Sequence, residues 1–247
     1  MIAKPVPTFA QCALALLAAV TLAGCQRDDD AAFGKRVQAY LMAHPEVIRQ
    51  AVDKLNANEQ AAAAKASTQV IEKYRAQLER DPRDFVANPG GKVTVVEFFD
   101  YRCSYCKLAA PQVLDLIRDN PDVRFVFKEF PIFGEVSDTA AKIALTPEGK
   151  AKGLDLYRGW MGEKALDEAS LDAHLQSAGL DPAALRKAAE DPAIQRQLLD
   201  TRTLASALRI EGTPAFIIGG TMVPGADLTA VRAAITVAKA GDIKKLG

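Results

Sequence analysis

The stretch VTVVEFFDYRCSYC, Val93–Cys106, decides the fold. Its first half, Val93–Phe99, is a nearly continuous apolar run rich in β-branched and aromatic residues, the pattern of a buried strand. It breaks into a Cys-x-x-C pair, Cys103 and Cys106, with helix-forming sequence carrying Leu108, Val113, Leu114 and Ile117 behind it. Two thiols three residues apart on a first helical turn can close into a small disulfide. The unpaired amides and dipole of the helix N-terminus favour the thiolate of the first. Arg102 and Lys107 add positive charge on either side. The chemistry expected of such a pair is thiol–disulfide exchange.

Outward from this stretch, Val123–Phe130 reads as a second strand, so strand–helix–strand gives a parallel unit. Residues 137–210 are helical, with three clear starts at Thr146-Pro147, Asp181-Pro182 and Asp191-Pro192, each a capping residue followed by Pro at the first helical position. Ala215–Ile218 is a strand, Gly219-Gly220 a tight turn, and Thr221–Val223 an antiparallel partner. A last helix runs from Asp227 to about Lys239. The order β-α-β, helical block, β-β-α predicts an α/β protein: a thioredoxin fold over residues 92–240 with a helical domain inserted at about 137–210. Asp81-Pro82 and Asn88-Pro89-Gly90-Gly91 punctuate the chain and predict a linker over 81–91.

Upstream of the linker, residues 33–80 are helical almost throughout. Phe33, Val37, Tyr40 and Leu41 form a short apolar stripe that His44-Pro45 interrupts. A longer helix follows, with Ile48, Val52, Leu55, Ala62, Ala66, Val70, Tyr74 and Leu78 at helical spacing. A thin stripe on so long a helix needs a partner, and the stretch is expected to be an oligomerisation stalk joining copies of the chain. A helical hairpin lying on its own domain, or a spacer, would use the same pattern.

The N-terminus carries Lys4, an apolar stretch from Phe9 to Ala23, and Leu22-Ala23-Gly24-Cys25. A short charged region, an apolar core of this length and small residues before a cut site describe an export signal over residues 1–24. Leu-Ala-Gly-Cys resembles the bacterial lipobox, which makes Cys25 the lipidated first residue of the mature chain. An ordinary cleaved signal with a coincidental cysteine is the alternative. Residues 25–32 would be a polar tether, and Gln26 after the cysteine points to the outer membrane.

The cysteine arithmetic sharpens the functional reading. Of four cysteines, Cys12 leaves with the signal and Cys25 takes the lipid, so Cys103 and Cys106 remain as the thiols of the mature chain. In an oxidising compartment a vicinal pair can cycle. Zinc would need two further ligands, and the two histidines, His44 and His174, are far apart in sequence. No metal and no dissociable cofactor is expected; the redox group is the Cys103–Cys106 couple itself. The formal net charge is zero and the chain is 49% hydrophobic, which gives no sign of a nucleic-acid partner.

Glu97-Phe98-Phe99-Asp100-Tyr101-Arg102-Cys103-Ser104-Tyr105-Cys106 and Gly212-Thr213-Pro214-Ala215-Phe216, in this order and at this separation, resemble the DsbA-like thioredoxin family. With the stalk, they are most similar to its suppressor-of-copper-sensitivity C and Com1-like branch, over roughly residues 33–240. The resemblance implies a nucleophilic Cys103, the more exposed of the two thiols, and a resolving Cys106. It implies a cis Thr213-Pro214 bond facing the active-site sulfur, with the Thr213 backbone free to pair with an extended substrate and Ser104 and Tyr105 beside it. Glu97 would be the buried acid under the site, exchanging a proton with Cys106, with Lys128 on the neighbouring strand as its partner.

The family's best-known oxidase has Pro-His between the cysteines where this chain has Ser104-Tyr105. Losing that His removes a cation able to stabilise the thiolate, and less stabilisation of the reduced form means a less oxidising couple. The expected activity is therefore that of a protein disulfide isomerase or reductase on the periplasmic side of the bacterial envelope. It would act on cysteine-containing proteins and be kept reduced by a membrane redox partner. A dithiol oxidase of the same family, or a Cu(I)-binding copper-tolerance protein using the same thiols, are the alternative readings. His174 and Trp160, inside the helical block, read as packing or surface residues.

Overall fold

The computed structural model describes residues 30–245, with side chains to residue 241. The expected export signal (1–24) and the lipidation site Cys25 lie outside the described residues. The chain divides at Ala62 into two compact units.

In the first unit, α1 covers residues 30–43 and α2 begins at Pro45, so His44-Pro45 does end one helix and start the next. Helix α1 already includes residues 30–32, which the sequence had assigned to the tether. Phe33, Tyr40, Ile48, Val52 and Leu55 remain 48–60% exposed. The apolar stripe is thus present on the helices and uncovered among the described residues.

The second unit begins at Ala63, on α2 (Pro45–Lys73), and continues through α3 (Arg75–Glu79). Ile71 and Leu78 are 1% exposed and pack with Val96, Phe98, Val126, Ala205 and Leu208. This corrects the expected stalk of 33–80, whose last residues cover one face of the sheet. One apolar stripe cannot tell from sequence where its partner changes. The expected linker 81–91 is likewise structured. Phe85–Ala87 forms strand β1, antiparallel to Phe125–Phe127 of the next strand but one, and Asn88 Nδ2 donates to the Ile117 carbonyl at 2.8 Å. Three residues are too few for a readable alternation.

The five-stranded sheet has the order β1-β3-β2-β4-β5. Strand β2 (Val93–Phe99) is central. It runs parallel to β3 (Val123–Glu129) and antiparallel to β4 (Ala215–Ile218), which pairs with β5 (Thr221–Pro224). Gly219 and Gly220 have φ of 54° and 91°, the two positive angles a type I′ two-residue hairpin turn demands. Helix α4 (Ser104–Asp119) joins β2 to β3.

Six helices separate β3 from β4: α5 (Glu135–Ala144), α6 (Pro147–Ala151), α7 (Gly153–Gly162), α8 (Glu168–Ser177), α9 (Pro182–Ala188) and α10 (Pro192–Ala207). Thr146, Asp181 and Asp191 cap α6, α9 and α10 through their side chains, each with Pro next. Helix α11 (Leu228–Lys245) closes the chain. Side-chain alternation on β2 splits the core. Val95 and Phe99 face the side covered by α4, α7 and α11, and Val96 and Phe98 face α3 and α10. The architecture is an α/β thioredoxin fold with a helical insertion and a preceding helical region.

Candidate active site

The site forms where β2 ends. Asp100, 1% exposed, accepts hydrogen bonds from the Arg102, Ile132 and Phe133 amides at 2.7, 2.7 and 3.0 Å and from Ser137 Oγ at 2.8 Å. The Arg102 amide closes the Asp100–Arg102 turn, and the other three donors tie it to the loop after β3 and to α5, which fixes the start of α4. Cys103 is the N-cap of α4, in extended conformation, with Ser104, Tyr105 and Cys106 forming the first turn.

Cys103 Sγ lies 3.1 Å from the Thr213 carbonyl oxygen, across from the cis Thr213–Pro214 bond. The two loops, 110 residues apart, therefore meet at the sulfur. Both cysteines are free thiols. Cys103 is 2% exposed and Cys106 0%, so the expected difference in exposure is small. Ser104 and Tyr105 between them are exposed, Tyr105 by 64%, and Pro214 is buried.

The Cys103 thiol is lowered to about 5, chiefly by a hydrogen bond from the Cys106 thiol; burial opposes this, and the Thr213 side chain and then the Cys106 and Tyr105 amides assist. Cys106 moves the other way, pushed far above the ordinary thiol range by burial and then by its bond to Cys103 and the charge of Glu97. One turn of helix thus separates a thiol poised as nucleophile from one that keeps its proton. The sequence pointed to Arg102 and Lys107 as the stabilising cations. Arg102 instead donates to the Phe133 carbonyl at 2.7 Å and Lys107 Nζ to the Trp160 carbonyl at 2.9 Å. The sulfur is held by local donors because the side chains of both cations are engaged elsewhere.

Glu97 is 2% exposed and faces the same side as Cys106. Burial pushes its carboxyl up to about 8, against a hydrogen bond from Tyr157 that lowers it. Tyr157 Oη, on α7, lies 3.1 and 3.2 Å from the two carboxyl oxygens, to which it donates. The expected partner, Lys128, is not there. Glu97 is level with Phe127 and Phe98 with Lys128, so the lysine emerges on the opposite face of the sheet. There it pairs with Asp84 at 2.5 Å, both side chains 2% exposed, and donates to the Gln77 carbonyl at 2.6 Å. A register offset of one residue reverses the face, which is why adjacency of strands misassigned the pair.

Sequence reading missed a further buried acid, Glu129. Tyr101 Oη donates to Glu129 Oε1 at 2.9 Å, and burial raises the Glu129 carboxyl well above its usual range. The Tyr101 ring packs edge-on against Trp160, 4.9 Å between centres, and Trp160 is fully buried. Partners 28 and 60 residues apart in the chain leave no spacing signal. His174, assigned to the surface or to packing, pairs with Glu163 at 2.8 Å, away from the thiols. Among the described residues no group of three or more His, Cys, Asp or Glu is placed to hold a metal ion.

The DSBA-like thioredoxin domain model matches residues 94–234, more than half of the chain, and the copper resistance protein ScsC N-terminal domain model matches 29–62. Among solved structures, Salmonella enterica Typhimurium BcfH is 32% identical with a TM-score of 0.68, covering 89% of this chain and 99% of that one. Proteus mirabilis ScsC in a transitional conformation is 27% identical with a TM-score of 0.65, covering 85% and 99%. A thioredoxin-like oxidoreductase from Silicibacter pomeroyi is 36% identical with a TM-score of 0.63, covering 67% and 97%.

Curated relatives include the Na(+)/H(+) antiporter NhaA 1 of Salinispora arenicola, 31% identical over 65% of this chain and 26% of that protein. They also include the thiol:disulfide interchange protein DsbA of Bordetella pertussis, 30% identical over 53% of this chain and 65% of that protein. The chain therefore spans about a quarter of the antiporter's length and just under two thirds of DsbA's. None of the described helices is long and apolar enough to cross a membrane. On the matched domain, the buried thiol pair and the cis-proline loop that meets it, the chain belongs to the DsbA-like thioredoxin family of thiol–disulfide oxidoreductases, on its ScsC branch.

Proposed function

We infer that the protein is a disulfide isomerase or reductase of the bacterial cell envelope, working on cysteine-containing proteins. The observation that carries the reading is the opposed pair of thiols at the start of α4. Cys103 is lowered to about 5 beneath the Thr213 carbonyl, and Cys106 keeps its proton behind it. In a first step the Cys103 thiolate attacks a substrate disulfide, forming a mixed disulfide and releasing one substrate thiolate. In the second, Cys106 gives its proton to the Glu97 carboxylate and attacks Cys103 Sγ. The Cys103–Cys106 disulfide forms and the second substrate thiolate leaves. The substrate gains two electrons and the cysteine pair loses them, so a dithiol reductant at the membrane must return them.

Thr213 offers its backbone to an extended substrate chain, and exposed Ser104 and Tyr105 border the same sulfur. Isomerisation follows when the released substrate thiolate attacks a different sulfur before Cys106 resolves the intermediate. A Cys103 value of about 5 lies between the roughly 3.5 of a strong oxidase and the roughly 7 of thioredoxin. That supports a couple less oxidising than the former.

The uncovered stripe of Phe33, Tyr40, Ile48, Val52 and Leu55 supports assembly of copies through the N-terminal helices. Several sites on one assembly suit a misfolded substrate that needs repeated attack. Lipidation of Cys25 would hold the assembly on the periplasmic face of the outer membrane.

The test is reactivation of a ribonuclease carrying scrambled disulfides by the reduced protein in a glutathione buffer. Recovery of activity that depends on Cys103, with slow oxidation of a fully reduced substrate, supports the reading. Rapid oxidation without reactivation of scrambled substrate assigns an oxidase instead.

A further inference from the structure

The inserted helices reach the redox centre through Tyr157. Its hydroxyl, on α7, is 3.1 and 3.2 Å from the two Glu97 oxygens. The ring is held independently of that bond, edge-on to Phe99 and Phe127 with centres 5.4 and 5.0 Å apart. Tyr157 and Glu97 are 1% and 2% exposed, so water does not compete for the carboxyl group. Among the described residues the Glu97 side chain has no other hydrogen bond or ion pair.

The remaining titratable groups facing Glu97 are Cys106 from α4, Tyr101 from the turn after β2, and Glu129 from β3. From β4 and α11 this core receives the apolar Phe216, Val231 and Ile235. Lys107, the nearby cation of α4, is turned to the Trp160 carbonyl. The Tyr157 hydroxyl is therefore the donor available to a Glu97 carboxylate, and the inserted domain supplies it.

We propose that Tyr157 is a positioning residue for the resolving step: its hydroxyl fixes the Glu97 carboxyl group that exchanges a proton with Cys106. This rests on the assignment of Glu97 as the proton acceptor. When Cys106 attacks the mixed disulfide, its proton passes to a Glu97 oxygen. The carboxylate that receives it is the form a buried neutral donor favours. The helical insertion thereby sets how readily Cys106 resolves, by way of the Glu97 carboxyl group.

The experiment follows both steps in the reduced full-length protein with a chromogenic aromatic disulfide. Release of the first aromatic thiolate reads attack by Cys103, and release of the second reads resolution by Cys106. Tyr157→Phe keeps the ring and its packing. It is expected to leave the first step unchanged and to move the pH midpoint of the second upward by about one unit. In a Glu97→Gln background, which lacks the midpoint, Tyr157→Phe should add nothing.

A Tyr157→Phe protein with an unmoved midpoint, whether the second step keeps its rate or slows evenly at every pH, overturns the proposal while Glu97→Gln still upholds Glu97. If Glu97→Gln also leaves the midpoint in place, the Glu97 assignment falls and the proposal falls with it.

Discussion

Cys103 Sγ and the Thr213 carbonyl oxygen face each other at 3.1 Å, joining the start of α4 to the loop that precedes β4. The thiol donates to this oxygen while protonated; once ionised, the sulfur draws on the Cys106 thiol, the Thr213 side chain and the first-turn amides. The strongest stabilising donor is the second cysteine of the pair, so the two thiols do not titrate as strangers.

The Cys103 titration follows directly. Alkylation rate and thiolate absorbance of the reduced protein should both show a midpoint near pH 5. Cys106→Ala removes the leading donor and should raise that midpoint by one unit or more. Cys106→Ala with an unchanged midpoint would mean that the Thr213 side chain and the helix amides hold the thiolate without the second thiol.

Glu97 carries an opposite linkage. Its folded value, about 8, lies above the unfolded one, so the folded protein binds the extra proton between about pH 4.5 and 8. The stability this proton contributes is fully present below about 4.5 and is lost as pH rises through 8. Glu97→Gln should therefore gain on the wild type over that window, by roughly 4–5 kcal/mol at its upper end. Urea unfolding of the oxidised forms at several pH values checks the sign; parallel curves would contradict the burial of an ionisable acid.

Lys128 and Asp84 form a buried pair on the far face of the sheet from Glu97. Lys128→Met leaves Asp84 without its cation and should cost about 3–5 kcal/mol in unfolding free energy. The Cys103 midpoint should not move, because the pair and the sulfur lie on different sides of β2. A Cys103 midpoint that moved with Lys128→Met would return the lysine to the active site.

Particular residues show how far the sequence could be read. The run Val93–Phe99, the Pro-capped helices and the Gly219-Gly220 turn have local causes, and the fold followed from them. Glu97 stood out as the lone acid in an apolar strand. Its partner did not, because strand order alone does not give register, and Lys128 falls one residue out of phase. Tyr157 and Glu129 were invisible for a different reason. Their contacts close over 60 and 28 residues and need the packed helices to exist first. The division at Ala62 was hidden as well, since Val70, Tyr74 and Leu78 continue the spacing of Ile48 and Leu55 while packing with the core on the sheet.

The exposed stripe of the first unit predicts association. Ile48→Asp with Leu55→Asp should convert an assembled protein into single chains by sedimentation. The Cys103 titration should stay in place, because the second unit holds all of the thiol chemistry. A wild type that sediments as single chains would leave the stripe to a spacer role.

The central claim is that Cys103 and Cys106 cycle as a dithiol couple of moderate potential. A glutathione redox titration of the reduced full-length protein tests it most directly. The expected result is one two-electron transition between about −180 and −270 mV, in the range of isomerases and reductases. A transition near about −120 mV would contradict the assigned direction and mark an oxidase. A pair that showed no transition at all would contradict exchange chemistry and turn attention to Cu(I) on the same two thiols.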